Sequence, residues 1–196
     1  MDSNTSLDTN ENIETPSDVP QITDLTDSFS LETRGQIADG IDSLRQISEI
    51  HPEQWETIQD ANERLAALQN VEENMASIQG RPSVPVEAAS MEDNVFGGWN
   101  GQTIRVNYDH LMGDQTVMEN VDTIVHEGRH AYQDYAIEHP EIISDQNIIQ
   151  EWKDNMQDYK NAETYGLEIH LNQPVEADAW SYANSIQSGL YGDMEN

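Results

Sequence analysis

Apolar residues recur along this chain at two different periods. From Leu31 to Glu49, Ile37, Ile41 and Leu44 stand three or four positions apart, the spacing of one helix face, and His51-Pro52 ends the run. A second helix is predicted from Pro52 onward, carrying Trp55, Ile58, Leu65, Leu68, Val71, Met75 and Ile78 toward a core, with Gly80 and Pro82 as its stop. Met118, Val121, Ile124, Val125, Gly128, Tyr132 and Tyr135 form a third helical stripe. Thr116 with Glu119 reads as its capping box, and no proline interrupts it before Pro140. Ser144 to Lys160 predicts a fourth helix through Ile148, Ile149, Trp152, Met156 and Tyr159. Pro174, following Asn172-Gln173, predicts the start of a last one.

The segment from Ser83 to Gly113 changes period. Val84 to Ala88 predicts a short strand, which Pro85 confines to a sheet edge. Gly97-Gly98-Trp99-Asn100-Gly101 reads as a turn or loop. Thr103 to Tyr108 alternates, with Ile104, Val106 and Tyr108 on one side, and predicts a strand just before the third stripe. Between Tyr165 and Leu171 alternation competes with helical spacing, and Gly166 argues against a settled helix. Residues 1–28 show no sustained period and are rich in Ser, Thr, Asp, Asn and Pro. They read as a disordered tail or linker, either a tether to a carrier module or a solubilising leader. The expectation is an α+β fold, mostly helical, with a small sheet packed on the third stripe. One folded domain spans 29–196, helical over 29–80 and carrying the chemistry over 81–196.

That chemistry lies on the third stripe, in His126-Glu127-Gly128-Arg129-His130, an H-E-x-x-H pattern. Residues four apart on a helix sit one above the other, so His126 and His130 can reach a single metal ion. Glu127 lies beside them, where it can act as general base on a water. Gly128 in a helix interior costs about 1 kcal/mol against alanine and hints at a close neighbouring backbone. On the last helix, Glu176, Ala179, Trp180, Ala183, Gln187 and Leu190 share one face. A carboxylate at the head of an inward stripe is costly unless paired or metal-bound. Glu176 is therefore the expected third ligand; Asp178 projects to the other side, toward solvent. Glu168 and His170 are the substitutes, a Glu176–Arg129 ion pair is the bland alternative, and His110 lies outside the expected site.

Charge and composition narrow the partners. The chain has 196 residues, 38 acidic and 8 basic, for a formal net charge of −30. Such a surface repels phosphates and anionic membranes, so neither nucleic acid nor membrane insertion is expected. No apolar run is long enough to span a bilayer. With no cysteine, any zinc must be held by His, Asp or Glu. Met1-Asp2-Ser3-Asn4 lacks the regions of a signal peptide. The expected location is the producer's cytoplasm, or outside it by another export route.

These residues resemble the gluzincin branch of the zincin metallopeptidases, in which H-E-x-x-H is completed by a glutamate on a later helix. Glu176-x-Asp178-Ala179-x-x-Tyr182-Ala183 is similar to a block of the repressor-cleaving zinc peptidases of mobile elements. His-Glu-Gly-Arg-His-Ala-Tyr-Gln, followed by Gln-Pro-Val-Glu-Ala-Asp-Ala, resembles metallopeptidase domains of bacterial polymorphic toxins and secreted effectors. The resemblance spans roughly residues 50 to 190 and includes Gly80-Arg81-Pro82. It implies a zincin-like fold, one zinc ion on His126, His130 and Glu176, and Glu127 as base. The implied activity is hydrolysis of a protein or peptide, with a cognate inhibitor as a further partner. The strand before the metal helix would then hold an extended peptide along a sheet edge. Trp180 stands where gluzincins carry an aspartate, so the group orienting the histidines is open, with Asp122 and Asp134 as candidates. Among Tyr159, Tyr165 and Tyr182, Tyr165 is the expected oxyanion donor. The rival readings are a zinc-closed protein-binding module, a zinc amidase acting on cell-wall bonds, and a scaffold that keeps only the motif's letters.

Overall fold

The computed structural model describes residues 29–113 and 115–192, so the tail expected over 1–28 lies outside the described residues. Helix α1, Leu31–Leu44, starts where the Ser30 side chain accepts the Thr33 N–H. The stretch expected as one helix from Pro52 is two: α2, Pro52–Trp55, and α3, Ala61–Gln79. The reason is Asp60, whose side chain accepts the N–H groups of Asn62 and Glu63 and starts a new helix. Gly80 closes α3 in the left-handed region at φ 70°, as its stop signal requires.

A three-stranded sheet follows, in the order β1 (Val86–Ala89), β3 (Ile104–Asn107), β2 (Gly97–Trp99). β1 runs parallel to β3 at one edge and β2 antiparallel at the other. The Gly-rich turn thus contains a strand. β3 is central, with both its edges paired, so the free edge nearest the helix of His126 and His130 belongs to β2. The alternation of β3 stops at Asn107, which is buried and donates to the carbonyls of Glu92 and Val95. Asn107 also caps α4, Tyr108–Met112, and Tyr108 is exposed rather than inward.

Helix α5, Val117–Glu138, is the axis of the fold and opens with the Thr116–Glu119 capping box. It packs against α3, β2, β3, α6 (Gln146–Gln157) and α9 (Pro174–Tyr191). Between α6 and α9, short helices α7 (Ala162–Tyr165) and α8 (Leu167–Leu171) flank Gly166, whose φ of 88° breaks the chain there. One core joins Leu44, Leu68 and Met75 to Ile104, Val121, Ile124 and Ile186, so residues before and after position 80 share it. A second cluster, with Tyr132, Ala136, Trp152 and Val175, lies toward the C-terminal end of α5. Among the described residues no helix is long and apolar enough to cross a membrane.

A buried Glu72–Arg81 pair anchors α5. Arg81 donates to both carboxylate oxygens, at 2.6 and 2.8 Å, and to the Gly128 carbonyl at 3.0 Å. A Cβ on Gly128 would lie 3.0 Å from Glu72 Oε2 and 3.1 Å from Arg81 Nη2. The glycine makes room for a side-chain ion pair and not for a neighbouring backbone.

Candidate metal centre

The helical spacing of H-E-x-x-H brings His126 Nε2 and His130 Nε2 within 3.1 Å of each other. Helix α9 crosses above them, and Pro174 at its first position sets where it begins. Glu176 in its first turn is 2% exposed and places Oε2 3.5 Å from His126 Nε2 and Oε1 3.4 Å from His130 Nε2. His126, His130 and Glu176 together can hold a metal ion, their ligand atoms all lying within 4.8 Å of one another. Glu176 therefore points to the histidines and not to Arg129.

The electrostatics follow from burial and mutual contact. Burial pushes the Glu176 carboxyl up, but hydrogen bonds from His126, His130 and Tyr159 hold it well below the usual carboxylate range. Burial pulls His130 down, yet its hydrogen bond to Glu176 and the Glu127 charge outweigh this and push it up to about 9. In the metal-free protein His130 is thus an imidazolium facing a carboxylate. A metal ion would replace its proton in that role.

Glu127 faces the same cleft, and its Oε2 accepts the backbone N–H of Trp99 at 2.7 Å. β2 can come this close only because Gly97 lacks a side chain. A Cβ there would lie 2.5 Å from Thr123 Cγ2 and 2.7 Å from Arg105 O. The cleft, about 510 Å3, is lined by Gly97, Trp99, Glu127, Asp134, Tyr159 and His170 besides the triad.

Several expectations need correction. Tyr165 does not line the cleft; it is 46% exposed and its ring lies under Lys160 Nζ at 4.8 Å. Tyr159 is the tyrosine at the centre, its hydroxyl donating to Glu176 Oε1 at 2.5 Å. Burial and the Glu176 charge push that phenol above its ordinary value. Tyr182 is fully buried beside Arg129. Asp178 does not face solvent: it accepts Arg129 Nε at 2.8 Å and Nη2 at 3.0 Å. Asp134 accepts the Trp99 indole N–H at 2.6 Å, so it is spent on the sheet edge. Asp122 Oδ1 and His126 Nδ1, one turn apart, are both buried without a hydrogen-bond partner among the described residues. Burial raises Asp122 to about 6, against the pull of His126. His170 reaches 3.8 Å from Glu176 Oε2 but is outside the triad, Glu168 is exposed, and His110 packs on Phe96. Trp180 packs against His126 in a tilted contact, with ring centroids 4.5 Å apart and the planes at 53°.

Two contributors had not been read from the sequence. Gln133 accepts from His130 Nδ1 at 2.9 Å, and the i,i+3 rule on the same helix was the available signal. Trp99 acts through its backbone, which no residue pattern announces. No family model, curated protein or solved structure matches this chain.

Proposed function

We propose that the chain is a zinc-dependent endopeptidase with a zincin-like fold. The observation that carries this reading is the convergence of His126, His130 and Glu176 in an open cleft with Glu127 beside them. Donors 2.0–2.1 Å from a tetrahedral zinc ion sit about 3.3–3.4 Å apart. Here the two imidazole nitrogens are 3.1 Å apart and each faces a different Glu176 oxygen, at 3.4 and 3.5 Å; with one ligand atom per residue, the three lie within 4.8 Å of one another. Two imidazoles and one carboxylate are also the donor set of hydrolytic zinc sites, which keep one position for water or substrate.

A bound zinc ion supplies a Lewis acid for the scissile carbonyl and makes a neighbouring water acidic near neutral pH. Glu127 takes the proton of the attacking water and delivers it to the departing amine. The Trp99 N–H orients that carboxylate. Tyr159, at the cleft wall, can swing its hydroxyl from Glu176 to the developing oxyanion. The free edge of β2 offers backbone groups to an extended peptide. Assignment to the secreted effectors or toxins rests on the motif resemblance alone.

Zinc content and hydrolysis of denatured casein test the reading together. Wild type is expected to hold one zinc per chain and to cleave, His126→Ala to lose both, and Glu127→Gln to keep zinc while cleavage collapses. Cleavage that survives in Glu127→Gln removes the base. Zinc without cleavage, coupled to a melting temperature that falls with chelator, favours a zinc-closed binding module. Cleavage of peptidoglycan but not casein favours the amidase.

A further inference from the structure

An imidazole binds a metal through one nitrogen only if its other nitrogen carries the proton, and the ring must be held in that orientation. His130 meets both conditions through a buried chain of side chains. Its Nδ1 lies 2.9 Å from Gln133 Oε1. The Gln133 amide is not free to turn over, because its Nε2 donates to Val175 O at 2.9 Å and to Asp178 Oδ2 at 2.8 Å. An amide with both N–H bonds spent on acceptors presents only its oxygen to the ring. Nδ1 must therefore carry a proton whatever the charge of the ring, and Nε2 is the nitrogen that faces Glu176 and His126.

The chain continues away from the centre. Asp178 receives the Arg129 guanidinium in a two-point contact, and Arg129 Nη1 donates to Gln36 Oε1 at 3.2 Å. The guanidinium is clamped by the rings of Tyr132 and Tyr182, at 4.6 and 4.4 Å. Gln133 and Arg129 are 0% and 1% exposed, so no water competes for these bonds. Helix α9 thus supplies two carboxylates with separate tasks: Glu176 joins the centre, and two residues on Asp178 fixes the amide that aims the second ring. His126 has no equivalent brace, since its Nδ1 finds no partner among the described residues.

We propose that Gln133, held by Asp178 and Arg129, is a positioning residue that fixes His130 in the tautomer and orientation able to bind zinc through Nε2. This rests on the zinc reading of the centre but not on peptide hydrolysis. Asp178 thereby reaches the ring through an amide, in a chain whose position 180 is Trp.

Gln133→Met, close in volume and apolar, tests the brace. Zinc affinity is measured by chelator competition, and the His130 Nδ1–H is followed by NMR of the zinc-loaded protein. Wild type is expected to show a slowly exchanging, downfield Nδ1–H for His130. In Gln133→Met that signal should vanish, with zinc bound about 10–100-fold more weakly. A purely structural tie between the two helices would lower the unfolding midpoint while leaving the signal and the affinity in place, and that result overturns the proposal. Asp178→Asn, which keeps the shape of the contact, should weaken zinc in the same direction by less. Should Gln133→Met fail to fold, unchanged affinity in Asp178→Asn overturns the proposal equally. A wild type that binds zinc but cleaves nothing defeats only the peptidase reading; one that binds no zinc defeats both.

Discussion

Trp99 spans two turns of α5 by donating its backbone N–H to Glu127 and its indole N–H to Asp134, at 2.7 and 2.6 Å. Residues seven apart lie on the same helix face, so one side chain and its own backbone register the sheet edge against Glu127. The edge is thereby tied to the cleft at both ends of the residue.

Because β2 depends on Gly97 for this approach, Gly97→Ala should push the strand off α5. The added Cβ meets a backbone carbonyl that cannot move alone. Overpacking of this kind costs about 1–3 kcal/mol. Urea unfolding should show the loss. Cleavage should fall while zinc content stays at one equivalent, because the triad is untouched. Unchanged turnover would mean that Glu127 does not need its Trp99 contact.

Arg81→Met should be among the most damaging single changes outside the site. It leaves Glu72 with side-chain exposure of 0% and no cation. Breaking a buried pair from one side costs about 3–5 kcal/mol. The double variant Glu72→Met with Arg81→Met should recover much of this. Additive losses in the double variant, read from denaturation midpoints, would contradict the pairing argument.

The metal-free protein should lose stability between about pH 6.5 and 9. His130 is raised from 6.5 to about 9 by contacts that exist only in the folded state. Its contribution is therefore fully present below pH 6.5 and drains away as pH climbs through 9, on the order of 1–3 kcal/mol. Asp122, raised from 3.8 to about 6, acts in a lower window and does not overlap. Chelator-treated wild type should show this decline and His130→Gln should not. Zinc competes with the same proton, so affinity should rise across the window. A flat stability profile in wild type would remove the His130–Glu176 ion pair from the account.

Tyr159→Phe and Tyr165→Phe should separate cleanly. Loss of an oxyanion donor typically lowers kcat about 100-fold or more. That fall is expected for Tyr159→Phe with zinc retained, while Tyr165→Phe should cleave like wild type. Equal effects of the two changes would place the hydroxyl's role elsewhere.

Local pattern alone determined the long helices α1, α5, α6 and α9, because each carries its own period, but it merged α2 with α3 and did not announce α4. The Thr116–Glu119 box, the Gly80 stop and the Pro174 start all stand where the residues announce them. It also determined that His126 and His130 share a face, and that Glu176 must turn inward to meet something charged. Tertiary structure decided what met what. Asp178 found Arg129 because α9 crosses α5 at that level, and the buried guanidinium there needed a carboxylate. Tyr159 replaced Tyr165 because Gly166 breaks the chain and leaves the latter at the surface. Gly97-Gly98-Trp99 became a strand only by pairing with β3, a partnership that depends on non-local hydrogen bonds. A helix is specified by neighbours within a turn. Which buried charges and sheet edges face one another depends on where whole elements cross, and that is settled only when the chain is packed.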